Sequence, residues 1–409
     1  MSTEQVAQSN LFKPIRLNKN VELSHRIAIP PLTRARATKD HVPTDLMAKY
    51  YDDRTKTPGS LIVAEGTFVC PEAVGWGHAP GIWSDRQVKA WKQINDKVHA
   101  NKSFISCQLW NLGRQADPVL LKEVGIAYKS ASDVYIDEET EKKAKEIGNP
   151  LTPLTKEEIK NYVENVYPNA AQNAIEGAGF DFVEIHGAHG YIFDQFFQET
   201  SNKRTDEYGP QSIENRSRFF FEVLDSIVAR LGGDGSKVAV RISPWAFFGG
   251  MEGNTRGIEK TKQEFGYIVE QLEQRRQKYG LAYLSIVEPR VSGVLSIEKD
   301  KVIGDNEWIF DLFKGVVLRS GTYYSFDKQF TALLKDVNNN DRTLIGIGRP
   351  AISNPDIVER LRNGWDAVYY DRDTFYVQRD DGYNTYGFHG QEAPKFSEEQ
   401  KLYAGVPLA

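Results

Sequence analysis

The stretch Val183-Glu184-Ile185-His186-Gly187-Ala188-His189-Gly190-Tyr191 reads in two halves. Phe180, Phe182, Val183 and Ile185 crowd apolar side chains together as a buried strand does, and the run then breaks at Gly187 and Gly190. A strand that ends in glycines can aim the polar side chains that follow into a pocket instead of back onto a sheet. Two imidazoles and a phenol stand close together here. Imidazole N–H groups can hold a developing oxyanion, and a phenol can deliver a proton. A metal site is the other reading of His186 and His189. It needs a further carboxylate or cysteine, and Glu184 is expected to face away from His186 on the strand. No metal is assigned.

Working outward, strand and helix patterns alternate along nearly the whole chain. Besides the quoted stretch, strands are expected at 26–30, 60–68, 104–110, 237–244, 281–289, 315–321 and 342–349. Ser84 with Gln87, and Thr155 with Glu158, form capping boxes, and Thr44 is placed to cap a helix through Tyr51. Pro168 should kink the helix running from Thr155 toward Glu176. A helix from Ser212 to Leu231 carries Phe220, Val223, Leu224, Ile227 and Val228 at helical spacing, and Ser353 is expected to cap a last helix ending near Gly364. Residues 111–153 break the rhythm and read as an excursion over a barrel mouth, with one short helix at best. Eight strands, each followed by a helix or a helix-sized gap, is the count of an α/β protein of the (β/α)8 TIM-barrel class. An open doubly wound sheet would show phosphate-binding glycines after its first strand, and none follows Pro30. The whole chain, 1–409, is taken as a single domain with its core over 10–376 and a C-terminal tail, 377–409, over the barrel mouth.

Composition narrows the class. The 409 residues hold 51 Lys+Arg against 56 Asp+Glu, so a net charge of −5 gives no electrostatic reason to expect nucleic acid or an anionic membrane as partner. Cys70 and Cys107 are too few for a disulfide framework or an iron–sulfur cluster. No stretch approaches the ~18 apolar residues of a membrane span, and the N-terminus has neither a basic region nor an apolar run. The cytoplasm is the expected location.

In a barrel of this kind the active site lies at the C-terminal ends of the strands. Those ends read Pro31-Leu32-Thr33, Glu65-Gly66, Gln108, His186 and His189, Arg241, Glu288, Gly321 and Gly348-Arg349. Polar residues or glycines recur where a strand would otherwise stay apolar. Gly321 and Gly348-Arg349 can present backbone N–H groups and a guanidinium to a phosphate; glycines that merely turn the chain are the alternative. A phosphate there and a flat polar ring across the mouth describe a flavin mononucleotide. Gln108 can pair with the polar edge of that ring, and Arg241 can stabilise negative charge on it by about 1.5–3 kcal/mol.

The chain resembles the Old Yellow Enzyme family of FMN-dependent ene-reductases, most of all its fungal members. The resemblance is carried by Asn10-Leu11-Phe12, Ile29-Pro30-Pro31-Leu32-Thr33-Arg34, Cys107-Gln108-Leu109-Trp110, the quoted stretch, the run from Ser201 to Gly209, and Arg241-Ile242-Ser243-Pro244. It continues through Val287-Glu288-Pro289-Arg290-Val291, Gly346-Ile347-Gly348-Arg349 and the run from Tyr370 to Tyr376. It implies that Thr33 hydrogen-bonds the flavin, with Pro31, Leu32 and Gly66 beside it, and that Gln108 and Arg241 hold the pyrimidine side. Gly321, Thr322, Gly348 and Arg349 would take the phosphate. His186 and His189 would grip the substrate carbonyl and Tyr191 would supply the proton, with Trp110, Phe248, Leu295 and Tyr376 around the substrate. His189 stands where many fungal relatives carry Asn, and Leu295 where an aromatic is common.

The resemblance further implies that NADPH reduces non-covalently bound FMN, which passes hydride to the β-carbon of an unsaturated aldehyde or ketone. The expected partners are enones, enals and phenolic ligands, with a second copy of the chain as a homodimer candidate. Two other readings compete. A flavin enzyme oxidising 2-hydroxy acids would want an arginine pair and a lone histidine base. A flavin protein that mainly binds steroids or phenols would reduce them only incidentally.

Overall fold

Eight parallel strands close on themselves in the computed structural model, which describes residues 3–391 and 396–409. They are β1 (Ile27–Ile29), β2 (Leu61–Val63), β3 (Phe104–Trp110), β4 (Phe182–Gly187), β5 (Val238–Ile242), β6 (Leu284–Val287), β7 (Val317–Ser320) and β8 (Thr343–Gly346). Each pairs with the next, and β8 pairs with β1, so no edge is left open. The strands are buried on both faces, which is why they read as continuous apolar runs and not as alternation.

Register decides what fills the interior. Ala28, Leu61, Val63, Phe182, Ala239, Tyr283, Leu318 and Leu344 form one buried cluster that plugs the barrel. Outward-facing Ile62, Ile105, Val183, Ile185, Val240, Ile286 and Ile345 belong to a second cluster packed under the helices. Above the plug, Gln108 pairs with Glu184 across the β3–β4 ladder, and Arg241 pairs with both His186 and Ser285. Side chains at paired positions share a face, so a polar layer lies directly over the apolar plug.

Several local expectations change in detail. The second strand splits into Leu61–Val63 and Thr67–Phe68. Between them Gly66 backs onto the Trp110 indole, where a Cβ would come within 2.5 Å of the ring. The 111–153 excursion holds two short helices, Pro118–Glu123 and Glu138–Glu146, each capped by an aspartate (Asp117 and Asp137). The helix containing Pro168 is flanked by π-helical turns at Tyr162–Val166 and Asn173–Gly177, a local change of hydrogen-bond pattern on either side of the proline. Thr44 occupies the N-cap of Asp45–Arg54, but its hydroxyl donates to the Arg36 carbonyl at 2.7 Å instead of capping. Ser353 closes one short helix, Arg349–Ser353, and the next, Ile357–Asn363, ends at left-handed Gly364.

The C-terminal segment also departs from expectation. Tyr370, Phe375 and Tyr376 reach the barrel mouth, whereas no described residue of 377–409 does. The end of the chain lies along the helix Asp45–Arg54: Asp45 N donates to Val406 O at 3.0 Å and Leu408 N to Pro43 O at 3.1 Å. No helix of the described residues is long and apolar enough to cross a membrane.

Candidate active site

A cleft of about 310 Å³ opens at the C-terminal ends of the strands. Pro31, Leu32 and Thr33 enter it after β1, Gln108 and Trp110 from β3, and His186, His189 and Tyr191 from the end of β4. Arg241 comes from β5, Gly321 and Thr322 from the end of β7, and Gly348 and Arg349 from the end of β8. Phe248 and Tyr376 close its sides. Two anticipated residues are absent from the lining. Gly66 lies behind Trp110 and acts by letting that ring sit flat against the strand. Leu295 is 50% exposed on the hairpin Val291–Ser292/Leu295–Ser296, whose Val294 and Ser296 face the cleft instead.

The β4 turn shows how the sequence aims its imidazoles. His189 adopts φ 55°, a left-handed conformation unusual for a residue with a Cβ. Three contacts hold the turn. His189 N donates to Ser243 Oγ at 2.8 Å, Gln115 Nε2 donates to His189 O at 2.6 Å, and Gly190 N donates to Asp194 Oδ2 at 2.8 Å. Ala188 N donates to His186 Nδ1 at 3.3 Å, so the His186 proton resides on Nε2. Burial, reinforced by Arg241, drives the pKa of His189 down to about 3, and burial with the neighbouring His189 and Arg241 drives His186 down as well. Both rings are therefore neutral N–H donors near pH 7. The Tyr191 ring packs edge-on to His186 and Trp110, with centroids 4.9 Å and 5.1 Å away. Burial raises its pKa above the usual phenol value, so it stays protonated and is a weaker acid than an exposed tyrosine.

The donor set fits a flavin mononucleotide. Arg34, Arg241 and Arg349 line the cleft, and among the described residues no carboxylate does. Five buried polar atoms of its lining have no partner among the described residues: Arg34 Nη1, Trp110 Nε1, His189 Nε2, Ser320 Oγ and Arg349 Nη1. Buried donors are ordinarily paired, so unpaired ones converging on one cavity mark where a polar ligand belongs. At the β7 end, Gly321 has φ 149° and Thr322 φ 47°, which turns the backbone sharply beside Arg349. A Cβ on Gly321 would come within 2.7 Å of Glu288.

The profile of the NADH:flavin oxidoreductase / NADH oxidase family matches residues 10–367. The chain belongs to this family. It is 46% identical over 406 residues to a probable NADPH dehydrogenase of Candida albicans, covering 99% of this chain and 95% of that one. It is 42% identical over 397 residues to enoate reductase 1 of Kluyveromyces lactis, covering 95% and 96%. The crystal structure of Old Yellow Enzyme from Pichia sp. AKU4542 superposes with a TM-score of 0.90 at 46% identity, covering 98% of this chain and all of that one. The protein is thus a flavin-dependent oxidoreductase of the Old Yellow Enzyme type, with FMN as cofactor and NADPH as reductant.

Three carboxylates need correction. Glu184 stands two residues before His186, so the two share the inward face of β4; its Oε1 accepts from Gln108 Nε2 at 2.8 Å below the cleft. Glu65 and Glu288, read as strand-end candidates, turn away from the cleft. Glu65 accepts the backbone N–H groups of Arg34 and Ala35 at 3.1 and 3.3 Å, and Glu288 accepts Arg319 Nε at 2.7 Å. The aromatics Trp76, Tyr323, Tyr324, Phe326, Tyr370 and Phe375 also line the cleft. The Tyr323-Tyr324 pair directly after Thr322 was a usable signal; Trp76, in a loop far from any strand end, was not.

Proposed function

We propose that this chain reduces the activated C=C bond of α,β-unsaturated aldehydes and ketones. The observation that carries the reading is the pair of neutral imidazoles, with His189 Nε2 unpartnered, beside a buried protonated Tyr191 in a cleft lined by arginines and no acid. Bound FMN would supply the hydride chemistry between NADPH and the substrate β-carbon, which is the cofactor's own. The residues of the chain supply the remainder. His186 Nε2 and His189 Nε2 donate to the carbonyl oxygen as negative charge grows on it. The Tyr191 hydroxyl, which no hydrogen bond holds among the described residues, delivers a proton to the α-carbon. Trp110, Phe248 and Tyr376 shape the space for the substrate. Thr33, Gln108 and Arg241 meet the ring of the cofactor, and Gly321, Thr322, Gly348 and Arg349 meet its phosphate.

FMN is held without a covalent bond in this reading: Cys70 and Cys107 are both buried away from the cleft, and His186 and His189 are assigned to the substrate oxygen. Denaturation should release all of the yellow colour. The reading extends to a cytoplasmic enzyme working as one domain, supported by the match to the Pichia structure along nearly the whole chain. It extends also to a homodimer, which sedimentation velocity tests.

The decisive experiment reduces the protein anaerobically with NADPH and then offers 2-cyclohexenone, a panel of enals and maleimides, or dioxygen. Rapid reoxidation by enones is expected. Reoxidation by dioxygen alone would instead support a binding protein with incidental reductase activity. Phenols test the oxygen site: a long-wavelength charge-transfer band should weaken in His186→Ala and largely persist in His189→Asn, since an amide still donates.

A further inference from the structure

Glu184 takes no part in the chemistry above, yet it accepts a hydrogen bond from the side chain of a cleft residue, Gln108, from below. It is fully buried on β4 and lies in the polar layer between the apolar plug and the cleft. Gln108 Nε2 donates to its Oε1 at 2.8 Å. An ionised carboxylate only accepts, so this contact fixes the orientation of the Gln108 amide. With Nε2 committed downward, the amide oxygen is the atom left to face the cleft. A flipped amide would set two oxygens against each other.

The second observation is electrostatic. The cleft gathers Arg34, Arg241 and Arg349 without a lining acid. Arg241 Nη1 donates to Ser285 Oγ at 2.8 Å, one strand across from Glu184. The titratable groups facing Glu184 from the packed strands are Arg241 on β5 and the Tyr283 phenol beside β6. Burial raises the carboxyl pKa, while Arg241 and Gln108 oppose the rise; reciprocally, Glu184 supports the charge of Arg241 against burial.

We propose that Glu184 is a positioning residue for the cofactor: it holds the Gln108 amide with its oxygen toward the cleft and, as a buried negative charge near Arg241, lowers the reduction potential of bound FMN. The proposal rests on the FMN reading of the cleft. A negative charge beneath the cofactor offsets Arg241 and disfavours added electron density above it. Without that charge the reduced, more negative cofactor is better stabilised and the potential rises. A merely structural glutamate would affect folding or retention and leave the potential where it was.

The test uses the FMN-loaded wild type, E184Q and E184L. Three quantities are read: the two-electron midpoint potential by equilibration with a reference dye, the FMN dissociation constant by flavin fluorescence on dilution, and the melting temperature. E184Q keeps an acceptor for Gln108 Nε2 but removes the charge. It should retain FMN within about threefold and shift the oxidised/reduced equilibrium about tenfold toward reduced, which is about 30 mV upward. E184L removes the acceptor, frees the amide, and should weaken FMN binding about tenfold or more. In a Q108L background the same change should cost no further affinity. An unchanged or lowered potential in E184Q overturns the electrostatic role, and undiminished affinity in a folded E184L overturns the positioning role. Should E184L fail to fold, the potential of E184Q decides the proposal alone. A colourless wild type would be a separate failure, that of the cofactor reading itself.

Discussion

Two regions of this molecule bury arginine and treat it oppositely. Under the C-terminal segment, Arg36 commits every donor to the backbone: to Arg379 O at 2.9 Å, Arg34 O at 2.5 Å, Phe375 O at 2.7 Å, Thr374 O at 2.9 Å and Asp381 O at 3.2 Å. Burial, and then the neighbouring Arg34, pull its pKa down to about 10, still cationic at neutral pH. In the cleft, Arg349 makes one hydrogen bond, from Nη2 to Ser296 Oγ at 2.8 Å, and its Nη1 is buried and unpaired. An unpaired buried donor costs about 1–3 kcal/mol. In the proposed reading, a bound cofactor and substrate satisfy the several that surround this cavity. The first region joins chain to chain, and the second waits for something else.

If that contrast holds, changes in the cleft should alter chemistry or binding and spare stability, while changes around Arg36 should do the reverse. The largest expected effect is on Tyr191. Tyr191→Phe should slow reoxidation of the reduced enzyme by 2-cyclohexenone by about 10²–10⁴-fold, the usual loss for a general acid. Reduction by NADPH should be almost unchanged, since it delivers no proton to carbon; stopped-flow measurement of both half-reactions distinguishes them. Equal slowing of the two would remove Tyr191 from proton delivery.

Next comes Arg36. Arg36→Met leaves up to five carbonyls, buried or part-buried, short of a donor and should lower unfolding stability by about 3 kcal/mol or more. Flavin content per folded molecule should stay near one equivalent, and denaturant titration with absorbance at the flavin band reads both. Arg349→Ala should behave oppositely. Losing a charge-assisted contact of about 1.5–3 kcal/mol weakens FMN retention roughly 10–100-fold. The melting temperature of the flavin-free protein should hardly move. Matching stability losses in the two variants would break the contrast.

Much of this was legible in the chain. The eight strands stand out because a barrel strand is apolar on both faces, so each appears as a run that ends abruptly in a polar residue or glycine. Gln108, Arg241 and His186 could be placed because they occupy those ends. What stayed hidden depended on contacts distant in sequence. Nothing local says that Gly66 exists to back Trp110, or that Leu295 turns outward while Val294 and Ser296 turn in. The role of Glu184 was readable in principle, since a period of two puts it on the face of His186; its Gln108 partner lies on another strand. The aspartate caps at Asp117 and Asp137 were local signals for two helices in an excursion read as holding one short helix at best.

Acid provides the smallest and most discriminating test of the comparison, because buried neutral histidines occur both inside and outside the cleft. His25, at the foot of the barrel, is satisfied: its Nε2 lies 3.0 Å from Ser60 Oγ, and its Nδ1 accepts from Ile27 N at 3.2 Å. Burial, aided by Arg362, drives its pKa to about 3, the value His189 reaches through burial and Arg241. An unfolded histidine takes up its proton near pH 6.5, whereas these folded ones stay neutral down to about pH 3. Within that window the unfolded state binds more protons, so stability is full above pH 6.5 and falls with acidification, by up to about 1.4 kcal/mol per pH unit for each histidine. Glu65 and Asp194 oppose the trend, because burial raises their pKa values to about 7 and about 6, so they stabilise the fold as they protonate. The net slope is therefore uninformative, and the difference between variants is what counts. His189→Asn should flatten the acid loss by nearly one proton between about pH 4 and 5.5 while leaving much of the phenol band in place. His25→Asn should flatten it similarly but at a cost in stability at neutral pH, since it disturbs a group already paired. If His189→Asn left the pH slope unchanged, its imidazole would titrate in the folded protein as it does in the unfolded chain, and a pair of donors held neutral by burial through mild acid would have to be abandoned.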